Sequence, residues 1–366
     1  MCIVSHIKYK GIDMSSLFDR ICSEQLIKNY PSHMKNNIQY ECIMGSVAYG
    51  VSDDTSDMDI YGFCIPPKHI LFPYNHGYIL GFGKKPEGFD QFQKHHIIDP
   101  GRAREYDISI YNIVKFFNLC MENNPNMVDA LFVPNRCVLH SNQVGEYVRE
   151  NRHIFLSKRC WHKFKGYAFS QIHKMKNKFA KDFVDMCNLF DMAYDLPLKD
   201  MLDIMKKKGA TEEQCSRMTY ILAKIASGGK RSKRIPLIAK HGFDTKFGYH
   251  VVRLIDECEQ ILEEGDLDLT RSREHLKAIR RGEWKLEDIE NYFDTKMKSL
   301  EKLYSESKLR YSPDEECIKT LLIDCLEMHY GNLGAAVGAN NVDDVIRTLS
   351  QGIVKLEQGM QMLYRN

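Results

Sequence analysis

The stretch Gly45-Ser46-Val47-Ala48-Tyr49-Gly50, continued by Thr55-Ser56-Asp57-Met58-Asp59-Ile60-Tyr61-Gly62, decides how this chain is read. Asp57 and Asp59 are two residues apart at the start of an apolar run. In an extended strand, side chains at i and i+2 share a face, so both carboxylates converge. Adjacent carboxylates repel unless a cation lies between them. Hard oxygen ligands suit Mg²⁺, with Mn²⁺ the alternative, held by one or two carboxylates and completed by water and phosphate oxygens. Gly45-Ser46 supplies the complement. A strand ending in Gly-Ser lets the backbone approach a phosphate, offers amide donors and a hydroxyl, and a following helix adds its N-terminal dipole. Asp-x-Asp alone commonly marks a solvated turn, and Gly-Ser alone says less. The compound pattern, with Tyr49-Gly50, Ser56 and Gly62 in place, describes a nucleoside-triphosphate site.

Working outward, 366 residues exceed one ordinary domain and imply two or three packed units. A 43% hydrophobic and 27% charged composition is that of a globular chain and excludes disorder or a collagen-like repeat. No apolar run approaches the ~18 residues needed to span a bilayer. Met1–Lys8 has no extended apolar region, so no secretory signal is expected there and the expected compartment is the cytoplasm. A formal net charge of only +2 means that any nucleic-acid surface must be local. The twelve cysteines include no CxxC pair, and Cys2, Cys22, Cys42 and Cys64 stand about twenty residues apart. They read as reduced, mostly buried thiols, with a disulfide framework the weaker alternative.

The character of the chain changes near residue 155. Before it, β-rich runs at Tyr40–Met44, Met58–Ile65, Asp90–Ile98 and Glu105–Tyr111 end at Gly, Pro, Asn or Asp. Helices are expected over Ser16–Tyr30, Asn112–Met121 and Asn126–Phe132. From Trp161 onward helical periodicity dominates, with segments at Lys158–Lys181, Phe183–Tyr194, Leu198–Lys208, Thr211–Ala226, Tyr249–Glu264, Arg271–Arg281, Leu286–Tyr304, Pro313–Tyr330 and Val342–Tyr364. The expected fold class is α+β: a small mixed-sheet catalytic domain over 1–155, a helical domain over 156–305 that completes the nucleotide and acceptor cleft, and a helical extension over 306–366.

Gly45–Gly62 resembles the signature of the DNA polymerase beta nucleotidyltransferase superfamily: Gly-Ser, a short helix, then Asp-x-Asp on the next strand. More narrowly, Gly-Ser-x-Ala-Tyr-Gly followed by Ser-Asp-x-Asp-x-x-Gly is similar to the nucleotidyltransferases of an RNA-repair pathway. Asn124-Pro125-Asn126 with Asp129 is similar to that family's Asn-Pro segment, although Glu is usual at Asp129. Lys246 to Leu254 is similar to its Lys-x-x-x-His-x-x-Arg-Leu helix, and Ile279-Arg280-Arg281-Gly282 to its Ile-Arg-x-Gly turn. The resemblance spans roughly residues 15–300. It implies a third metal-binding carboxylate on a later strand. Asp107 is favoured and Glu105, on the same face, is the competitor. It also implies two-metal nucleotidyl transfer, in which Asp57 and Asp59 hold both ions and Asp107 helps bind the one that activates the attacking hydroxyl. Gly45 and Ser46 then orient the β- and γ-phosphates.

Lys246, His250 and Arg253 follow i, i+4, i+7 spacing and form one helical stripe, read either as a solvated face or as contacts to a triphosphate. Lys158 to Lys181 interleaves lysines with Trp161, Phe164, Tyr167, Phe169 and Phe179. That suits a single-stranded nucleic-acid track, and equally an amphipathic helix with aromatics in the core. Lys230-Arg231-Ser232-Lys233-Arg234 is a second basic cluster. The expected function is transfer of a nucleoside monophosphate from a triphosphate to a hydroxyl, foremost an RNA 3′ end. The alternatives are a protein or small-molecule acceptor, or a non-catalytic nucleotide-binding module. No membrane partner is expected.

Overall fold

The computed structural model describes residues 16–52, 57–76, 78–79, 83–84, 87–176, 198–207, 209, 211–212, 215–216, 240–241 and 243–331. Thr55-Ser56, the helices expected at 183–194 and 342–364, most of the one at 211–226, and the basic cluster at 230–234 lie outside them. The chain divides into two compact units. One comprises residues through Cys160 with Gln260–Arg271 and the chain from Lys308; the other comprises Trp161–Glu259 and Ser272–Ser307.

The first unit is built on a five-stranded mixed sheet ordered β3-β4-β2-β1-β5. Its strands are β1 (Ile38–Ile43), β2 (Met58–Cys64), β3 (Gln91–Asp99), β4 (Arg104–Asn112) and β5 (Val138–Ser141). Among these, only β2 and β4 pair in parallel; the other neighbours are antiparallel. The expected α+β class is what the chain adopts.

Register sorts the side chains. One face carries Tyr40 and Cys42 of β1, Asp59, Tyr61 and Phe63 of β2, and Asp107, Ser109 and Tyr111 of β4. The opposite face carries Glu41, Ile60 and Ile108. Each face is covered by helix. Helix α1 (Leu17–Ser23) packs by an edge-on contact of Phe18 with Phe92, ring centroids 5.8 Å apart. After the one-turn α2 (Gly45–Ala48) and α3 (Lys68–Leu71), helix α4 (Ile113–Met121) sets Phe116 5.0 Å from Phe63. Helix α5 (Pro125–Phe132) takes the Tyr40 hydroxyl on the carbonyl of Ala130 at 2.7 Å.

α1 is shorter than the expected Ser16–Tyr30 helix. Gln25 and Asn29 both have left-handed backbones, φ 58° and 59°, which no α-helix accommodates. β5 and the following α6 (Gln143–Glu150) were not legible as elements, because β5 is only four residues at a sheet edge.

In the second unit, α7 (Arg159–Lys176) buries Trp161, Phe164, Ala168 and Ile172 along one stripe. It is followed by α8 (Leu198–Lys207), α9 (Thr245–Glu264), α10 (Arg273–Arg280) and α11 (Leu286–Glu306). α12 (Glu315–Tyr330) returns to the first unit, where the Tyr147 hydroxyl donates to Asp324 at 2.9 Å and the Tyr330 hydroxyl donates to the carbonyl of Pro66. None of the ten cysteines among the described residues is in a disulfide, and nine of them are buried. No described helix is long and apolar enough to cross a membrane.

One buried carboxyl group stands out. Glu41 is fully enclosed beneath α1, and its two carboxyl oxygens accept from the amides of Leu17 (2.7 Å) and Phe18 (3.0 Å), donors that the helix itself cannot satisfy. Burial raises its pKa from an ordinary 4.5 to about 8 despite those two bonds. Between these values the native chain keeps a proton that the unfolded chain has released, so stability falls as pH rises through that window. The slope is about 1.4 kcal/mol per pH unit. Urea unfolding of the wild type from pH 5 to 8 should therefore show a declining midpoint, and Glu41→Gln should flatten the decline by about one proton's worth.

Candidate active site

β1 runs into Met44, whose amide donates to the carbonyl of Asp59 at 2.7 Å and so pins the end of β1 to the start of β2. Gly45 follows with φ +62°, and a Cβ built there would lie 2.1 Å from Oδ2 of Asp59. The Asp59 carboxylate is thus laid against the bare Cα of Gly45, and glycine meets both requirements, the left-handed backbone and the close approach. Gly45 and Asp59, fourteen residues apart in sequence, form one site. α2 is a single turn, so the dipole expected of a helix after Gly-Ser is small, and its amides remain as donors. The turn closes with Val51 N donating to the Ser46 carbonyl at 2.8 Å. Tyr49, at its end, is buried and donates its hydroxyl to Asp129 Oδ2 at 2.7 Å. Asp129 lies on α5, whose first turn is capped by the Asn124 side chain and carries Pro125. The Asn-Pro segment therefore anchors the Gly-Ser turn from beneath.

The carboxylates are set by strand register. In the parallel pairing of β2 with β4, Asp59 stands opposite Asp107, Met58 opposite Tyr106 and Ile60 opposite Ile108. The register thus sets Asp107 rather than Glu105 beside Asp59. Asp57 is exposed one residue before β2. Glu105 shares the face of Asp107 but lies one pleat back and bonds the ring of His96. Tyr61, two residues along from Asp59, has its hydroxyl pKa pushed up by burial first and then by the neighbouring Tyr111 and Asp59. No three His, Cys, Asp or Glu side chains among the described residues stand in metal-coordinating geometry. The donor set at Asp57, Asp59 and Asp107 is all carboxylate oxygen, and it fits a hard divalent cation.

Sequence reading missed the partners of Asp107. The β3–β4 register slips between Lys94 and Ile97, so His95 and His96 together oppose Asp107. The His96 amide donates to Asp107 Oδ1 at 2.8 Å, and His95 Nδ1 stands 3.2 Å from Oδ2. His96 has a left-handed backbone, φ 58°. Its imidazole pKa is raised first by the hydrogen bond to Glu105, then by the charges of Asp107 and Glu105. A signal was present. The inward-facing phase of β3 moves from Phe92 to Ile97, an odd step that only an inserted residue permits.

In the second unit the expected Lys246–His250–Arg253 stripe is graded. Lys246 is exposed, His250 is half-buried beside Tyr249, and Arg253 is buried with Nη1 3.2 Å from each carboxylate oxygen of Glu257. A guanidinium held by a buried carboxylate differs from a solvated helix face. Arg280 stacks over the Tyr249 ring, 5.7 Å from its centroid. On α7 the aromatics divide. Trp161 and Phe164 are buried, whereas Tyr167 is 41% and Phe169 61% exposed. Lys165 lies over the Trp161 ring at 4.7 Å.

A one-turn Gly-Ser helix against the first of two aspartates that face each other across parallel strands defines a nucleotidyltransferase of the polymerase beta type. The model of the RNA repair pathway DNA polymerase beta family matches residues 18–312, and the chain belongs to that family. Comparison with curated proteins gave no match. A nucleotidyltransferase-like protein from Exiguobacterium sibiricum is 12% identical, with 84% of this chain and 88% of that chain covered and a TM-score of 0.23.

Gly45→Ala should destabilise by about 1–3 kcal/mol through its positive φ, and by more through the collision with Asp59. Gly83→Ala is the control, with φ +70° and no atom within 4 Å of the added carbon. Chemical denaturation of both variants should give the larger loss at Gly45. Equal losses would mean that Asp59 does not press on Gly45.

Proposed function

We propose that this chain transfers a nucleoside monophosphate from a nucleoside triphosphate to the 3′ hydroxyl of RNA through a two-metal site. The observation that carries the reading is that Asp59 lies at once against Gly45 and opposite Asp107. The Gly45 amide and the Ser46 hydroxyl orient the β- and γ-phosphates. Asp57 and Asp59 would hold the ions, Mg²⁺ with Mn²⁺ as the alternative, and Asp107 would help hold the one that activates the attacking hydroxyl. Bound there, divalent ions lower the pKa of an attacking hydroxyl and neutralise a departing pyrophosphate.

Of the stripe on α9, Lys246 and His250 are the proposed polar contacts for a triphosphate, and Arg253 is not. Lys246 is the most accessible of the three, while Arg253, tied to Glu257, sets the helix rather than reaching outward. The RNA acceptor is supported by the family and by the exposed Tyr167 and Phe169 on a helix that also exposes Arg159 and Lys165. Exposed aromatics beside cations suit stacked bases and paired phosphates.

Incubation of the chain with each labelled triphosphate, Mg²⁺ or Mn²⁺, and a mixed pool of RNA, DNA and cell extract should label RNA. Label on protein or a small molecule would replace the acceptor; no label on anything would remove the activity. Asp57→Asn, Asp59→Asn and Asp107→Asn should each abolish transfer with the circular dichroism spectrum unchanged. The double variant Tyr167→Ala/Phe169→Ala should weaken RNA binding by about 1–3 kcal/mol per stacked base, and wild-type affinity should fall steeply with salt.

A further inference from the structure

The β3 bulge is costly by construction. It opens the β3–β4 ladder, and it holds His96 at φ 58°, a left-handed conformation that strains a non-glycine residue. What the distortion produces is local. It places two groups against the two oxygens of one carboxylate: the His96 amide donates to Asp107 Oδ1 (2.8 Å), and the His95 ring stands with Nδ1 3.2 Å from Oδ2, an ion pair when the ring is protonated.

We infer that the His95–His96 bulge is a positioning device, a clamp of one amide hydrogen bond and one ring contact that fixes the plane of the Asp107 carboxylate and leaves its remaining lone pairs for a divalent ion shared with Asp59. The inference rests on the two-carboxylate reading of the site and assigns the bulge a role within it. The clamp is a matter of orientation rather than of fold stability. The His95 side chain is 58% exposed and that of Asp107 25%, so the contact adds little to folding. Groups that orient a ligating carboxylate are nonetheless worth about 10–100-fold in metal affinity. Three substitutions separate the parts. His95→Ala removes the ring beside Oδ2. His95→Asn restores an N–H donor at the same branch point of the side chain. His96→Gly keeps the main-chain N–H and relieves the positive φ.

The test is Mn²⁺ alone, titrated into the full chain and followed by the loss of the free-ion signal in electron paramagnetic resonance. Asp59→Asn defines the site-specific component. His95→Ala should weaken that component about 10–100-fold without changing the unfolding midpoint. His95→Asn should recover most of the loss, and His96→Gly should bind like the wild type with a higher midpoint. Wild-type binding by His95→Ala, or failure of His95→Asn to rescue, overturns the clamp while leaving the carboxylate site standing. Absence of any component that Asp59→Asn removes overturns both.

Discussion

The parallel pairing of β2 with β4 is the constraint on which the site depends. Parallel strands need a crossover, and here the chain leaving β2 at Cys64 passes α3 and turns back through β3, which pairs antiparallel with β4. That route lets two strands that begin at the same end of the sheet lie side by side with Asp59 and Asp107 in register. A slip of one residue would turn Asp107 to the opposite face, towards α1, and set Ile108 in its place. The surrounding apolar pattern fixes the register. Ile60, Ile108 and Ile110 are fully buried on the α1 face, so the aspartates have no alternative to the face they occupy.

Holding carboxylates together in this way stores repulsion, and the fold is organised to contain it. Gly45 gives Asp59 room by lacking a side chain. Met44 ties the turn to the Asp59 backbone, and Tyr49 ties it to Asp129 on α5. On β4 the bulge of β3 brings the His96 amide and the His95 ring to Asp107. The other face of the sheet uses a carboxylate differently. Glu41 is sealed beneath α1 and spends both oxygens on helix amides. Two acidic groups on adjacent strands thus differ in role because one faces the Gly-Ser turn and the other the interior.

Much of this was legible in the residues themselves. Gly45 through Gly62 carried the strand, the turn and the carboxylates, because glycine and paired aspartates are costly where nothing requires them. Asp107 could be ranked above Glu105 by its position, and the register sets it opposite Asp59. Three features were hidden. The His95–His96 bulge depends on cross-strand register, which only a phase slip between Phe92 and Ile97 betrays. Arg253 has the spacing of an exposed stripe but is paired with Glu257 at the same helical i, i+4 interval, so period alone could not tell the solvated face from the buried one. The docking of α12 through Tyr330 and Asp324 joins residues more than 170 apart, and no local pattern announces it.

The most direct test of the central claim is a crystal structure of the full chain with Mn²⁺ and a non-hydrolysable nucleoside triphosphate, with data collected at the manganese edge. The account predicts an anomalous peak within bonding distance of both Asp59 and Asp107, with the triphosphate on the Gly45 amide and the Ser46 hydroxyl. A peak bound elsewhere, with Asp59 and Asp107 unligated and the Gly-Ser turn empty, would contradict it.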